Sequence, residues 1–339
     1  MSSEDKNDLI DPQIRNVKER YRYELLLKAQ VQGIGLGTQK TNGVDTGIPC
    51  IIVYVYPKLP RGVVGPRDLV PPALDDVLTD VVETPPAKPL IRTTSTVAEP
   101  ERTRRWRPAP AGVSVGHYQL KGAGTLGAWV QSKETGELFL LSCWHVLTNY
   151  GKGRQGDPIL QPGLIDGGSV EKDTIAWLEK WVDVRMLGPS LGEAKSNLKS
   201  LLDRGKTLPL NYIDAAIAKP VSEEVVSYEV LGIGKMKGVA RTTRLGEEMV
   251  SSGRTSGVTR SYVSALDVDM FIGYPTGVAL FLDSVATSPK TTVTHFHPCP
   301  WVSGDVSTWI KALRQLRGSN AINALGRNLT FFADENHLA

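Results

Sequence analysis

Three residues whose types cooperate in acyl transfer occur along this chain in the order His145, Asp214 and Ser307. His145 follows the apolar run 138–141, so we expect it where a buried strand enters a turn beside a cleft. A histidine held in that way can move a proton to and from a reacting group. Asp214 interrupts the apolar segment 211–218, and a buried carboxylate is costly unless something pairs with it. We therefore predict that Asp214 pairs with His145 and fixes its tautomer.

The elements that must position these residues fall into two regions. Apolar positions at helical spacing predict an amphipathic helix over 11–32, and an apolar run predicts a buried strand over 50–56. A connector rich in proline and charge covers 84–110. We predict a small α/β module with its linker over 1–105 and a second domain over 106–339.

From residue 111 onward the chain changes to short apolar runs separated by glycine, asparagine and aspartate. Short strands at such intervals are typical of an all-β sandwich or barrel. A helical pattern over 192–204 interrupts the region between the histidine and the aspartate. We interpret that helix as a surface insertion.

Composition and charge limit the classes of function. The 339 residues are 41% apolar and 22% charged, and the formal net charge of +3 is too small to indicate nucleic acid as a partner. The basic run 102–107 lies between prolines and is interpreted as a solvated linker. The N-terminus lacks the apolar core of a signal peptide, and no run approaches the ~18 apolar residues of a membrane span. Because three cysteines cannot form a disulfide framework, we predict a reducing, cytoplasmic location without a membrane partner.

The glycine-rich segment 33–37 resembles a dinucleotide-binding fingerprint in composition. Its spacing differs from that fingerprint, and no helix pattern follows it. We interpret the segment as a strand before a turn. No cofactor and no bound metal is predicted.

Several motifs, in order along the chain, resemble those of bacterial trypsin-like serine peptidases of the chymotrypsin superfamily. They occupy 33–37, 58–60, 79–83, 107–118, 124–127, 141–147, 156–163, 213–218 and 252–259. The resemblance runs from about residue 31 to residue 283 and includes the N-terminal module. It implies a mainly β fold, with two antiparallel β-barrels of chymotrypsin type preceded by a small α/β module. It also implies a peptide or protein substrate.

The same resemblance assigns catalytic roles. His145 would be the general base, Asp214 its orienting acid and Ser307 the nucleophile. The chemistry of the side chains agrees with the first two roles, because a serine hydroxyl attacks poorly until a base removes its proton. The base in turn needs a carboxylate at its other ring nitrogen.

The nucleophile segment departs from the family pattern. The family places its serine in Gly-Asp-Ser-Gly, where backbone N–H groups form the oxyanion hole. Here Gly304 and Asp305 are followed by Val306, and Ser307 comes one residue late. The stretch 287–318 has therefore diverged, or a frame error in the gene has altered it. A catalytically inactive peptidase fold that binds an extended peptide along a barrel edge is the alternative function.

The altered stretch also offers a metal-site alternative. His295, His297 and Cys299 alternate as residues on one face of a strand do, and Cys143 and His145 show the same alternation. These are zinc ligand types, although Pro298 and the unrecognised spacing argue against a site. Cys143 is disfavoured as a nucleophile, because it lies only two residues from His145 and a buried structural thiol explains it as well.

Overall fold

The computed structural model describes residues 10–89, 100–132, 135–235, 243–289 and 329–330, which are mainly β. The helices are α1 (Pro12–Leu26), α2 (Pro100–Thr103), α3 (Trp144–Leu147), α4 (Val170–Asp173) and α5 (Leu191–Asp203), and two 3₁₀ turns cover Leu164–Asp166 and Glu223–Val225. The strands are β1 (Val31–Thr41), β2 (Val44–Val55), β3 (Ala73–Leu74), β4 (Val77–Glu83), β5 (Ala109–Ala111), β6 (Ser114–His117), β7 (Gly124–Thr125), β8 (Ala128–Ser132), β9 (Leu138–Ser142), β10 (Pro158–Leu160), β11 (Thr174–Trp181), β12 (Ala216–Pro220), β13 (Val226–Val230), β14 (Gly234–Lys235), β15 (Glu248–Gly253), β16 (Gly257–Tyr274), β17 (Gly277–Pro289) and β18 (Leu329–Thr330).

Two large sheets and one small sheet make up the architecture. The first large sheet has the order β15-β16-β1-β2-β4-β3, and β17 also pairs with β16. The second has the order β18-β8-β9-β12-β11-β10-β6-β7, and β14-β13-β5 form the small sheet. One hydrophobic core lies on the second sheet, another lies between the helices and the first sheet, and a third joins the two regions around Trp144. The predicted mainly β class, with a small helical N-terminal segment, is confirmed.

The N-terminal strands belong to the same sheet as strands from the distal half of the chain. β1 lies between β2 and β16, and its Gly33 pairs with Met270. A Cβ atom on Gly33 would lie 2.5 Å from the carbonyl oxygen of Asp269, so the strand approach requires glycine there. The segment 33–37 is therefore strand, as interpreted from the sequence. The division near residue 105 stays a prediction, with strands from both sides of it in one sheet.

Two helices differ from their sequence interpretations. α1 ends at Leu26 rather than near residue 32, because the chain from Val31 is paired as a strand on both sides. α5 is not merely a surface insertion, since Ala194 and Leu198 are buried in the core of the first sheet. Its Lys195 ammonium group donates to the carbonyl oxygen of Ala29 in the α1–β1 turn and, at 2.6 Å, to that of Val31, the first residue of β1. Tertiary contacts thus determine where α1 ends and which face of α5 is buried.

The middle of the basic run 102–107 is exposed but its two ends are not, which corrects in part the interpretation as a solvated linker. Arg102 is buried and donates to the hydroxyl of Ser252 at 2.6 Å and to the carbonyl oxygen of Gly112. Arg107 is half-buried and donates to the side-chain oxygen of Gln161 at 2.8 Å. These guanidinium groups satisfy oxygen atoms inside the fold, which a local reading of charge and proline content does not reveal.

No helix among the described ranges is long and apolar enough to cross a membrane.

A buried charge cluster holds α1 against the β16–β17 hairpin. The ammonium group of Lys18 lies 2.7 Å from a carboxylate oxygen of Asp269, and both side chains are fully buried. The guanidinium group of Arg22 donates to the same oxygen at 2.8 Å, and the backbone N–H of Asp283 donates to the other. Two cations and one amide thus neutralise and satisfy a carboxylate that would otherwise be strongly unfavourable in the interior.

We predict that Asp269→Asn lowers the free energy of unfolding by about 3–5 kcal/mol, because it removes the buried counter-ion of Lys18 and leaves only the half-exposed carboxylate of Glu19, 3.5 Å away. Urea unfolding followed by circular dichroism measures the change. The matched control is Asp203→Asn, which breaks the exposed Lys199–Asp203 pair and should leave stability nearly unchanged. Equal effects of the two variants would contradict the role given to the buried cluster.

Candidate active site

Strand pairing brings His145 and Asp214 together. β9 and β12 are antiparallel neighbours, and Ser142 pairs with Ala216 at the end of the ladder. The chain that leaves β9 and the chain that enters β12 therefore lie at the same edge. His145 follows β9 in the short helix α3, and Asp214 lies two residues before β12. Residues 69 positions apart in sequence become neighbours through this register.

The predicted contact between the two side chains is present. Nδ1 of His145 lies 2.6 Å from Oδ2 of Asp214, and the backbone N–H of His145 donates to Oδ1 at 3.3 Å. The hydroxyl of Tyr274 donates to Oδ2 at 2.7 Å. The side chain of Asp214 is fully buried, and the exposed fraction of His145 is 2%.

These contacts explain how the carboxylate tolerates its environment. A buried ionised carboxylate is strongly unfavourable unless hydrogen bonds replace its hydration. Three donors surround Asp214, from the His145 ring, the His145 backbone and Tyr274. Hydrogen bonds to an ionised acceptor are short and strong, as the 2.6 and 2.7 Å separations show. The carboxylate is therefore held in one orientation.

The same contacts decide which ring nitrogen of His145 is available for chemistry. Asp214 holds Nδ1, which in the neutral ring then carries the proton. Within the described part of the chain, no hydrogen bond is made to Nε2. That nitrogen is the one that can accept a proton from a nucleophile.

Tyr150 packs against the imidazole of His145. The two rings are stacked, with centroids 6.0 Å apart. Burial, and next the charge of Asp214, raise the pKa of the Tyr150 hydroxyl, so this group stays protonated at neutral pH. Tyr150 therefore confines the ring without adding a charge to the site.

Sequence reasoning missed Tyr274. It is the last residue of β16, just before the turn that leads to β17. Tyrosine is common in strands, so its type gave no signal. The only available cue was that a buried aspartate needs more than one donor.

Sequence reasoning also missed a second histidine–aspartate pair, and this one is structural. Nε2 of His117 lies 3.0 Å from a carboxylate oxygen of Asp157, and Nδ1 accepts the backbone N–H of Gln119. Both ring nitrogens are therefore occupied, unlike those of His145. Burial lowers the pKa of His117, and hydrogen bonding and the charge of Asp157 oppose this shift only in part. His117 is a neutral clamp on the loop after β6.

The remaining predicted site residues lie outside the described residues. Ser307, His295, His297 and Cys299 all belong to this group. The structure therefore neither brings them to His145 nor separates them from it.

One group of described residues has metal-ligand types. Ligand atoms of Cys143, His145 and Asp214 lie within 4.8 Å of one another, and all three residues are buried. The short hydrogen bond between the His145 ring and Asp214 already accounts for two of the three. A metal ion at this position would have to replace that hydrogen bond.

Comparison with solved structures finds bacterial proteases. The Nocardiopsis protease has a TM-score of 0.33 and 16% identity, over 58% of this chain and 76% of that chain. The Thermobifida fusca protease A has a TM-score of 0.32 and 10% identity, over 53% of this chain and 69% of that chain. No protein-family model and no curated protein matches this chain. Two proteases are thus among the solved structures to which this chain is similar. The roles proposed below for His145 and Asp214 rest on the geometry described above.

The His117 clamp makes a prediction about pH. Because its pKa is lowered in the folded state, its contribution to stability is complete above the ordinary value of 6.5 and is lost as pH falls below it. We expect the difference in free energy of unfolding between the native chain and His117→Gln to shrink between pH 8 and pH 5, as urea unfolding measures. Glutamine cannot titrate but can still donate to Asp157. A difference that stays constant with pH would contradict the neutral-clamp interpretation.

Proposed function

We propose that this chain is a serine-type endopeptidase of trypsin-like fold whose altered nucleophile segment makes it weakly active. The buried 2.6 Å hydrogen bond between His145 and Asp214 is the observation that carries the proposal. A histidine with a structural role can have both of its ring nitrogens in hydrogen bonds, as His117 does. His145 differs, because a carboxylate fixes one nitrogen and the described residues leave the other for proton transfer.

The proposed reaction uses His145 as both acid and base. As the Ser307 hydroxyl attacks a peptide carbonyl carbon, its proton passes to Nε2 of His145. The adjacent Asp214 carboxylate stabilises the imidazolium that forms. The proton then passes to the leaving amine, the C–N bond breaks, and an acyl-enzyme ester remains. A water molecule activated by the same nitrogen hydrolyses the ester and regenerates Ser307.

The role of Ser307 comes from its sequence position alone. It is the serine nearest to Gly304 and Asp305, but Val306 separates it from the family spacing. Loss of one oxyanion-hole donor costs about 10²–10³ in rate, so the slip by one residue is expected to depress turnover strongly.

The wider assignments follow from the same proposal. We propose peptide or protein substrates, a cytoplasmic location, and no nucleic-acid or membrane partner. We also keep the division into an N-terminal module over 1–105 and a peptidase domain over 106–339. In this proposal the module supports the domain, because β1 pairs with β16.

The departure at Val306 favours a second candidate function. A peptidase fold with an intact histidine and aspartate, but with no positioned nucleophile, can bind an extended peptide along a sheet edge. Such a chain would bind its target without hydrolysing it.

Labelling with a fluorophosphonate tests the proposal, because this reagent reacts with an activated serine. We expect slow labelling of the full chain, none of Ser307→Ala, and labelling slower by about 10³–10⁴ in Asp214→Asn, whose amide favours the wrong tautomer. His117→Gln is the matched control and should label as the native chain does.

Two outcomes would contradict the proposal, and the gene sequence then helps to explain the second. Labelling that persists in Ser307→Ala would remove this serine from the mechanism. Absence of labelling and of hydrolysis, together with saturable peptide binding, would establish the binding module in its place. Sequencing the gene across codons 287–318 then shows whether a frame error removed the nucleophile segment.

A further inference from the structure

We propose that Tyr274 is a positioning residue, which holds the Asp214 carboxylate in the orientation that His145 requires. The inference rests on the proposed function, because it concerns the same histidine–aspartate pair. Its central observation is the hydrogen bond from the Tyr274 hydroxyl to Oδ2 of Asp214, at 2.7 Å. The ring of Tyr274 is buried, with an exposed fraction of 6%.

Tyr274 contacts the one carboxylate oxygen that also faces the imidazole. Oδ2 of Asp214 receives both the His145 ring at 2.6 Å and the Tyr274 hydroxyl at 2.7 Å, whereas Oδ1 receives a backbone N–H at 3.3 Å. Without Tyr274, the described donors to this carboxylate would all come from His145 itself. The pair could then turn as a unit. A donor on an independent element removes that freedom.

The element that carries Tyr274 is well anchored. Tyr274 pairs with Gly277 where β16 turns into β17. The next residue, Val278, exchanges two backbone hydrogen bonds of 2.7 Å with the segment 187–188. A Cβ atom on Gly277 would lie 2.9 Å from the carbonyl oxygen of Gly188, and its φ of +144° also favours glycine. The hairpin end therefore cannot shift without breaking these contacts.

Aromatic packing fixes the direction of the Tyr274 ring. The ring meets Trp144 edge-on at 5.9 Å and lies 6.2 Å from Phe281. It also meets the imidazole of His145 edge-on at 6.0 Å. These contacts would remain if phenylalanine replaced tyrosine, so Tyr274→Phe isolates the hydroxyl from the packing.

Tyr274 also joins the two large sheets. It comes from β16 of the first sheet, while His145 and Asp214 flank β9 and β12 of the second. The hydroxyl therefore makes the geometry of the pair depend on how the two sheets dock. This arrangement makes Tyr274 part of the support of the site, and it touches no substrate in the proposed reaction.

The test compares Tyr274→Phe with the native full chain, both labelled with ¹⁵N at histidine. The exchange rate of the His145 Nδ1 proton with water reports how well the pair is held, and His145→Ala assigns its resonance. We expect exchange to quicken by about tenfold or more, the scale of losing one hydrogen bond to a charged group. If the chain hydrolyses peptide, kcat should fall about tenfold and KM should change less than about twofold. The substitution leaves unchanged the groups that bind substrate equally in the ground state and the transition state.

The control is Tyr118→Phe, which removes a tyrosine hydroxyl beside His117, the histidine of the structural pair with Asp157. Its ring lies 4.7 Å from that of His117. This variant should change neither the exchange rate of the His145 proton nor kcat. Thermal unfolding of both variants checks that they are folded.

The exchange measurement separates this inference from the proposed function. Unchanged exchange in folded Tyr274→Phe overturns the positioning role, whether or not the chain is active. Faster exchange in a chain that hydrolyses no peptide sustains the role of Tyr274 and removes the peptidase assignment. If Tyr274→Phe does not fold, site-specific 3-fluorotyrosine at position 274 replaces it. That residue is a stronger donor, so slower exchange is expected, and no change in exchange overturns the proposal.

Discussion

The carboxylate of Asp214 is buried, and keeping it there ionised is the requirement around which the centre of this protein is built. Its two oxygens take three hydrogen bonds, two from His145 and one from Tyr274. The donors come from separate parts of the chain, so the contact forms only when both large sheets are in place. The histidine and the carboxylate are therefore held in one arrangement by contacts from both sheets.

The N-terminal segment contributes to this arrangement through the backbone. β1 pairs on one side with β2 and on the other with β16, the strand that ends at Tyr274. α1 then covers this sheet, with Lys18 and Arg22 on the carboxylate of Asp269. The chain before residue 60 thus supports a strand that reaches the candidate site. The N-terminal segment, which the sequence predicts as a separate module, therefore contributes strands to the same sheet as β15, β16 and β17.

Charged residues at the junction between the sheets are used internally. The guanidinium group of Arg254 pairs with the carboxylate of Asp166, and the two side chains are 1% and 0% exposed. Asp166 also accepts from the Ser114 hydroxyl at 2.6 Å. Arg102 satisfies Ser252 near the same strand end. Removing one partner of such a contact would leave an uncompensated buried group, which is strongly destabilising.

Local pattern determined much of this protein from the sequence alone. The mainly β class and the strand at 33–37 followed from periodicity and from glycine content. The pairing of His145 with Asp214 followed from the cost of a lone buried acid together with the resemblance to trypsin-like peptidases. These properties are local, or concern a single residue and its need for a partner. Tertiary structure alone decided the rest. The donor Tyr274, the buried Arg102 and the burial of one face of α5 depend on which strands pair and on what a side chain meets across the interior. Composition and spacing carry no record of those long-range contacts, because a tyrosine or an arginine has the same local preferences whether its partner is water or a buried oxygen.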